Sequence, residues 1–440
     1  MRDDRQHTST LHERPPHART STSPTPSPMV GAPGPIPPFP AFRGATRRIA
    51  LVAPQPFYQD RGTPIAVRQL LAALAQLGHE VDVITYPIGR SVDFPGVRYI
   101  RCANPLGFGG VPVGFSFRKL VLDVPIATTL RRQLATQPYD LIHAVEEAAF
   151  PAVVLGRRHK VPVIYDMQSS LPEQLVKHAA LRNGPAQAML HACERWLLRR
   201  ADAVVSSKGL ASRVRRMVPE ARVHEWRYAS EITDVAPRVI QAERRALGIP
   251  DGASIVLYSG TFEPYQGLPD LLRAVPGVLA ACPSARVVLV GAEGEAGTTV
   301  RELARTLGVS DQVLILSRQP RERMPIFHTM ADVLVSARRY GGNLPLKIFD
   351  YLAAGRPIVA TDIPTHRTLL DESRALLVSP NSEELCRAIV RLLTDRDEAA
   401  RLAAAARSYA QEHLGWRAFV QSVDELVATV CDSAPPRARR

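Results

Sequence analysis

The chain has 440 residues, a formal net charge of +13 and an apolar share of 45%, which allows two α/β domains with sizeable cores. The five cysteines are scattered without a C-x-x-C pair, and no His/Cys cluster has the spacing of a zinc site. We therefore expect neither a disulfide framework nor a bound metal. A basic surface favours anionic partners, but the chain lacks an aromatic-plus-arginine module, so no nucleic-acid partner is expected.

Both ends of the chain lack hydrophobic periodicity. Residues 1–45 and 433–440 are rich in Pro, Ser, Thr or Arg, a composition typical of disorder. The start has no apolar segment like that of a secretory signal, and no run reaches the ~18 apolar residues of a membrane span. The sequence predicts a cytoplasmic protein and leaves open a peripheral contact with an anionic membrane surface.

One segment of the sequence suggests such a membrane contact. Residues 107–119, GFGGVPVGFSFRK, combine three phenylalanines with Arg118 and Lys119. Such a segment could dip into a membrane interface, and an ordinary loop explains the same residues.

Apolar runs of strand length alternate with helical patterns. IALVA (49–53) and VDVIT (81–85) flank a helix predicted from Pro64, with Thr63 as its N-cap and Gly78 beyond its end. This β-α-β unit implies a parallel sheet. Further strands are predicted at 141–145, 161–166, 201–207, 254–260, 286–291, 312–316, 331–336 and 357–362.

The periodicity fades within 228–252, which divides these units into two runs. The pattern predicts an α/β protein with two doubly wound Rossmann-like domains facing a cleft, an N-terminal one at 46–230 and a C-terminal one at 231–415. A terminal helix at 416–432 either belongs to the second domain or crosses back to the first. Ligands of such sheets bind at the carboxyl ends of strands, so the loops there hold the candidate residues.

The stretch 343–362, NLPLKIFDYLAAGRPIVATD, has the features of an anion site at a helix start. Pro345 and Gly355 predict a helix of about three turns, and the loop before it would present free backbone amides to a diphosphate. The loop residues in question are Gly342, Asn343 and Leu344.

Two charged residues of the same helix could contact a bound nucleotide. Asp350 could accept hydrogen bonds from ribose hydroxyls, and Lys347 shares its helix face. A Lys–Asp surface pair on an ordinary helix explains the same two residues.

This stretch, together with the order of elements, resembles the family 4 glycosyltransferases of the GT-B fold. Their signature is E-x7-E followed by A-x-A-x-G-x-P and a strand. Gly355 and Pro357 match it, and Asp350 stands at the second glutamate, while Gly342 replaces the first. The resemblance implies that Asp350 is the ribose ligand and that the family's first sugar contact is missing.

The second donor signature of the family, G-R-x3/4-K-G, corresponds here to GTFEPYQG (260–267). Thr261 and Gln266 stand where the two basic residues would be, while Gly260 and Glu263 remain as donor-side candidates. The resemblance therefore implies a diphosphate held by backbone amides with help from Lys347, Arg338 or Arg339. A plain strand-to-helix turn is the other reading.

The N-terminal domain has counterparts of the family's acceptor-side loops. QDRGTP (59–64) places Gly62 where the backbone can approach the donor, and Arg61 is either a phosphate ligand or simply solvated. LIHAVEEAAF (141–150) resembles an H-x-H-E loop that keeps His143 and Glu146. These two are acid/base or acceptor candidates, although a lone strand-end histidine is often structural. Asp166 ends the next strand and is a further acceptor-side candidate.

The resemblance covers residues 47–430. It implies a glycosyltransferase that moves a sugar from a UDP- or GDP-linked donor to an acceptor hydroxyl, with retention, and without a metal or another cofactor. On this reading Asp350→Ala and Lys347→Ala each lower transfer at least tenfold. The alternatives are a non-catalytic GT-B scaffold that binds a sugar nucleotide or a partner protein, and a sugar-nucleotide epimerase.

Overall fold

The computed structural model describes residues 45–59, 62–111, 116–172, 184–226, 228–230, 234–341 and 345–433. Two parallel sheets organise these residues. The first sheet has seven strands in the order β3-β2-β1-β4-β5-β6-β7, and the second has six in the order β10-β9-β8-β11-β12-β13. We call the first sheet with its helices the N-terminal lobe and the second the C-terminal lobe. The predicted α/β class with two doubly wound sheets is confirmed.

The strands of the first sheet are β1 (Arg48–Ala53), β2 (Glu80–Thr85), β3 (Val97–Arg101), β4 (Leu141–Val145), β5 (Val163–Met167), β6 (Ala203–Ser206) and β7 (Val223–Glu225). Those of the second sheet are β8 (Ile255–Ser259), β9 (Arg286–Ala292), β10 (Val313–Ser317), β11 (Val333–Ser336), β12 (Ile358–Thr361) and β13 (Leu376–Val378). Each sheet reverses its strand order once, between β1 and β4 and between β8 and β11. These two points are where ligands of doubly wound sheets bind.

The helices with described bounds in the first half are α1 (Gly62–Gln76), α2 (Phe117–Thr136), α3 (Ala149–His159), α4 (Gly184–Leu198) and α5 (Lys208–Met217). In the second half they are α6 (Pro237–Ala246), α7 (Leu268–Ala281), α8 (Gly294–Thr306), α9 (Met324–Met330), α10 (Lys347–Ala354), α11 (Ser382–Thr394), α12 (Arg396–His413) and α13 (Trp416–Asp432).

The ten predicted strands are all present, with ends that match or are shifted by at most two residues. The sequence missed β3, β7 and β13, which are edge strands whose residues are mostly half-buried. An edge strand lacks the continuous apolar run that marks a strand covered on both faces.

Two predicted helix starts are wrong. α1 begins at Gly62 and not at Pro64. α10 begins at Lys347, two residues after Pro345, so it has eight residues and about two turns instead of three. Its end is as predicted, because Gly355 closes it in a left-handed conformation with φ of 61°.

The last helix, α13, packs on the N-terminal lobe. Trp416 Nε1 donates to Gln76 Oε1 at 2.7 Å at the end of α1, and Phe419 makes an edge contact with Trp226. Tyr228 in turn meets Phe349 of α10 edge-on, with ring centroids 6.3 Å apart. The segment after β7 therefore joins the cores of the two lobes through aromatic contacts. The domain boundaries at 230 and 415 stay predictions.

Candidate functional site

Lys347 lies at the carboxyl end of β8. Its Nζ stands 3.9 Å from the centroid of the Tyr258 ring and donates to Gln266 Oε1 at 3.2 Å. A Cβ at Gly260 would lie 2.9 Å from this Nζ, and Gly260 has φ of 139°. A side chain at residue 260 would therefore displace the ammonium group. Three predicted donor-side residues, Gly260, Gln266 and Lys347, are thus brought together.

The Lys347 ammonium occupies an unusual environment for a cation. Burial lowers its pKa well below the ordinary lysine value, and the neighbouring Arg338 charge lowers it further. The Arg338 side chain is itself buried and stacks over Tyr265 at 5.1 Å from the ring centroid. The Arg338 Nε donates to Tyr340 O at 3.0 Å. A bound anion would favour the charged form of Lys347 and offset the repulsion between the two side chains.

The loops after β8 and β11 meet across the switch point of the second sheet. Arg339 N donates to Tyr265 O at 2.9 Å, and a Cβ at Gly267 would lie only 1.9 Å from the Ala337 carbonyl oxygen. Gly267 also has φ of 72°, so only glycine fits this close approach. The Arg339 side chain turns away to pair with Asp270 at 3.2 Å, which leaves Arg338 as the arginine beside Lys347. Glu263 of the first loop is exposed.

Asp350 is buried and points toward the connection between the lobes. Its Oδ1 accepts from Ser230 Oγ at 3.3 Å, and its Oδ2 lies 3.3 Å from the guanidinium of Arg321, in the turn after β10. The carboxylate is therefore neither directed into open solvent nor packed away from the gap between the lobes. Its role as a ribose ligand stays a prediction.

The loop before α10 is the predicted anion-binding site. Gly342, Asn343 and Leu344 lie outside the described residues, as does Arg61 of the N-terminal lobe. Gly62 is exposed at the start of α1, and among the described residues, its chain neighbours and its own helix backbone aside, no atom lies within 4 Å of the position its Cβ would take. That residue leaves open space at the carboxyl end of β1.

His143 and Asp166 lie side by side on β4 and β5. His143 Nε2 is 3.3 Å from Asp166 Oδ2, and both side chains are buried. The amide of Gln168 donates to Asp166 Oδ1 and to the Tyr228 hydroxyl, each at 2.6 Å. Tyr228 is two residues from Ser230, so this network reaches the segment that contacts the other lobe.

Glu146 follows β4 directly, at the switch point of the first sheet. Its φ of 50° is a left-handed conformation that is uncommon for a residue with a side chain. Its Oε1 accepts from Ser169 Oγ at 2.8 Å. Backbone strain of this kind clusters at active sites, ligand clamps and switch regions.

The sequence did not predict a second group of ionisable residues beside Glu146. The Tyr86 hydroxyl donates to Asp123 at 2.6 Å, and Lys119 pairs with Glu147 at 3.2 Å. Burial and the Glu147 charge raise the pKa of Asp123 to about 7. The signal was weak because Asp123 lies within a helix whose apolar pattern gives no sign of a carboxyl group near neutrality.

Two buried histidines beneath the donor-side loops were also missed. His328 shares a hydrogen bond with Ser259 Oγ at 2.9 Å, and His366 shares one with Ser336 Oγ at 2.9 Å. Burial lowers the pKa of His328 to about 3 and that of His366 to about 4. Both rings are neutral at pH 7 and support the strand ends that carry the site.

The described ranges contain neither a cluster of metal ligands nor a membrane-spanning helix. Among those residues, no three or more His, Cys, Asp and Glu side chains group as metal ligands would. No described helix is both long and apolar enough to cross a bilayer.

Two family models match the chain. The model described as a glycosyl transferase 4-like domain matches residues 61–228, and the one described as glycosyl transferases group 1 matches residues 239–409. Together they cover well over half of the sequence, and each falls on one lobe.

Curated relatives span most of the chain. A D-inositol 3-phosphate glycosyltransferase from Nocardia farcinica is 28% identical over 374 residues, which is 79% of this chain and 80% of the relative. One from Nocardiopsis dassonvillei is 28% identical over 408 residues, covering 86% of this chain and 91% of the relative.

Several solved structures share the fold of this chain. Sucrose-phosphate synthase from Thermosynechococcus elongatus has a TM-score of 0.73 at 23% identity and covers 88% of this chain and 100% of its own. Anabaena HepE in complex with UDP-glucose has a TM-score of 0.69 at 16% identity and covers 87% of this chain and 100% of its own. Such identities show the fold. With the family models on both lobes, they establish that the chain belongs to the family 4 glycosyltransferases of the GT-B fold.

Proposed function

We propose that this glycosyltransferase takes a sugar from a nucleoside diphosphate, UDP or GDP, and passes it to an acceptor hydroxyl with retention and without a metal or another cofactor. The observation that carries the proposal is the pair of cations, Lys347 and Arg338, at the switch point of the second sheet. Two positive charges near each other in a protein interior repel, and a bound anion relieves that repulsion. A diphosphate has the charge and size to do so.

The donor would bind mainly to the C-terminal lobe. In this arrangement Lys347 and Arg338 contact the diphosphate, with the backbone amides of residues 342–344 as additional donors. Asp350 accepts hydrogen bonds from the ribose hydroxyls, which requires the donor to displace the present contacts to Ser230 and Arg321. Gln266 accepts a hydrogen bond from the Lys347 ammonium group, and Gly260 leaves room for that group. Glu263 lies on the same loop.

The chemical step needs the leaving diphosphate to be stabilised as its bond to the sugar breaks. Lys347 and Arg338 are already in place for that charge, so little reorganisation is needed during the reaction. As the acceptor oxygen bonds to the anomeric carbon, its proton must leave, and His143 and Glu146 are the candidates to receive it. Closing the lobes about residues 226–230 would exclude water and limit hydrolysis of the donor.

The acceptor would approach from the N-terminal lobe, and its class stays open among a glycan, a lipid and a small molecule. Asp166, near the end of β5, and Arg61 are the remaining acceptor-side candidates. Gly62 is a donor-side candidate of the N-terminal lobe, where its backbone could approach the donor. The names of the curated relatives specify D-inositol 3-phosphate, which makes that compound the first acceptor to test.

The experiment begins with a donor screen by thermal shift, because a ligand that binds only the folded state raises the apparent stability. Purified protein is then incubated with the donors that bind and with an acceptor panel, and release of nucleoside diphosphate is measured. Arms with and without a chelator test metal independence, and NMR of the product gives the anomeric configuration. Nucleoside diphosphate release that depends on acceptor and persists with chelator supports the proposal.

Three other outcomes would replace it. Nucleotide binding without turnover on any acceptor would favour the scaffold, and conversion of the donor sugar without an acceptor would favour an epimerase. Loss of activity with chelator, restored by a divalent ion, would overturn metal independence alone.

A further inference from the structure

Exposed apolar side chains are concentrated on one side of the molecule. Among the described residues, seven large apolar side chains are exposed, and five of them lie on α2, α3 and α4. These five are Leu120 and Val124 of α2, Val154 of α3, and Met189 and Trp196 of α4. Val124 is 65% exposed, Val154 55% and Met189 57%. Single exposed apolar residues are common, but a cluster on neighbouring helices marks an interaction surface.

The three helices form one continuous layer over the first sheet. α2 packs on α3, and α3 packs on α4. The last contact includes Phe150 and Trp196, whose rings stack with centroids 6.2 Å apart. We call the outward surface of α2, α3 and α4 the helix face.

The charges on the helix face have one sign. Its exposed cations are Arg118, Arg131, Arg132, Arg157, Arg158, Arg195 and the residues just beyond the helix ends, Lys160 and Arg199. Within the described residues of α2, α3 and α4 there are two acidic side chains, Asp123 and Glu194, and neither is exposed. Among the described residues of these three helices the exposed charges are therefore all positive, while Arg199 beyond α4 pairs with the exposed Glu220 at 3.2 Å.

Apolar and cationic side chains are interleaved on the same helix sides. Arg157 and Arg158 follow Val154 by three and four positions, a spacing that puts them on one side of a helix. The guanidinium of Arg200 lies 4.3 Å from the centroid of the Trp196 ring. Tryptophan and arginine side chains in this combination are typical of the interface between lipid headgroups and acyl chains.

We propose that the helix face binds the surface of a membrane that contains anionic lipids, as a peripheral contact. Leu120, Val124, Val154 and Trp196 would enter the interface while the arginines contact headgroup phosphates. A second copy of the chain is a poor occupant, because two such faces would bring many like charges together. Nucleic acid would leave the exposed Val and Met side chains without an apolar partner.

This surface differs from the segment that suggested membrane contact in the sequence. Phe108 is partly buried against the lobe core and under the Arg118 guanidinium, Phe115 lies outside the described residues, and nothing is described of the Phe117 side chain. The apolar contact surface is supplied by the helices that follow that segment.

The test is sedimentation of the purified full chain with vesicles of phosphatidylcholine alone or mixed with phosphatidylglycerol. We expect binding to the mixed vesicles only, and weaker binding as salt is raised. Two double variants change the helix face: Val124→Asp with Val154→Asp, and Arg157→Glu with Arg158→Glu. Each should lower vesicle partitioning at least roughly tenfold, since each basic residue near an anionic surface contributes appreciably to binding.

The matched control is Arg301→Glu with Arg305→Glu, which makes the same charge change on exposed residues of α8. It should bind vesicles like the unaltered protein, and all variants should keep their unfolding temperature because the changed side chains are exposed. The proposal is overturned if the unaltered chain does not bind the mixed vesicles, or if the helix-face variants bind as well as the control. It is also overturned if the chain self-associates in solution and Val124→Asp with Val154→Asp abolishes that association.

Discussion

The carboxyl edges of the two sheets are built alike but charged in opposite ways. At the edge of the C-terminal lobe the cations Lys347 and Arg338 lie beside the loop after β8, with the buried carboxylate of Asp350 one turn further along α10. At the edge of the N-terminal lobe lie the carboxyl groups of Glu146, Asp166 and Asp123. The same arrangement of strands can therefore present sites of different chemistry, one suited to a phosphate and one to hydroxyl groups and protons.

The segment after β7 links these two edges. Tyr228 receives a hydrogen bond from Gln168, which also binds Asp166, and Ser230 donates to Asp350 of the other lobe. Gln168, Tyr228 and Ser230 thus connect the two edges. The effects of substitutions at one edge on donor and acceptor binding can therefore be compared with the effects of substitutions at the other.

The largest expected effect follows from removing the Lys347 charge. Lys347→Met or Lys347→Ala should lower kcat/KM for transfer at least tenfold, and up to about a hundredfold, because the leaving diphosphate loses a preorganised cation. Steady-state release of nucleoside diphosphate measures this. Arg339→Ala is the control, since that exposed arginine pairs with Asp270. Equal losses in both variants would contradict a specific role for Lys347.

The next effect concerns Asp350. Asp350→Ala should lower kcat/KM at least tenfold, mainly through a higher donor KM, since a ribose contact holds substrate and transition state alike. Asp234→Ala, which removes an exposed carboxylate paired with Arg407, should leave KM unchanged. A loss confined to kcat, with donor KM as in the unaltered enzyme, would exclude the ribose role.

A smaller effect is expected at the opposite edge. Glu146→Gln should lower kcat/KM for the acceptor about fivefold, or about 1 kcal/mol, because a neutral amide accepts a weaker hydrogen bond than a carboxylate. Donor affinity should be unchanged, in contrast to Lys347→Met. Separate titrations of donor and acceptor distinguish the two edges. Weaker donor binding by Glu146→Gln would contradict the assignment of the donor to the C-terminal edge.

Stability should also depend on pH in opposite directions at two titratable residues, His366 of the C-terminal lobe and Asp123 of the N-terminal lobe. Burial holds the pKa of His366 at about 4, below the unfolded value of about 6.5. As the pH falls from 6.5 to 4, unfolded chains take up a proton that the folded state does not, so stability falls. His366→Gln should make the unfolding temperature less dependent on pH in this window, as measured by a thermal melt series. An unchanged slope would show that this ring is not the group responsible.

Asp123 should make stability depend on pH in the opposite direction, and its substitution should have the smallest effect of the five. Its pKa of about 7 lies above the usual aspartate value, so as the pH rises from 4 to 7 the unfolded state ionises first and stability falls. Asp123→Asn removes this cost and retains an oxygen for the Tyr86 hydroxyl. It should raise the unfolding temperature by about 2 °C at pH 8 and have little effect at pH 4. An effect of equal size at both pH values would contradict the raised pKa.

The sequence predicted the parts of this structure that depend on local pattern. The interior strands have continuous apolar runs, and Gly355 marks the end of α10, so both could be placed. The edge strand β3 could not, because VRYIR is only half-buried and lacks such a run. The start of α10 was misplaced by two residues because Pro345 is only a preference for the first helical position.

The sequence indicated which residues belong to the candidate site, but not which of them contact each other. Lys347 and Gln266 are 81 positions apart and become neighbours only through the sheet. The same holds for His328 and Ser259, which are 69 apart. Replacement of the family's basic pair by Thr261 and Gln266 could be read from the sequence, but the burial of Arg338 beside Lys347 could not, since burial is set by the whole lobe.

The central claim is that the cation pair at the C-terminal edge, and not the carboxyl groups of the N-terminal edge, binds the nucleoside diphosphate. Isothermal titration of UDP and GDP into the unaltered protein, Lys347→Met and Glu146→Gln tests it directly. The account predicts that at least one of the two nucleotides binds the unaltered protein and Glu146→Gln equally, and Lys347→Met at least tenfold more weakly. Equal affinity of all three proteins, or weakening in Glu146→Gln alone, would contradict it.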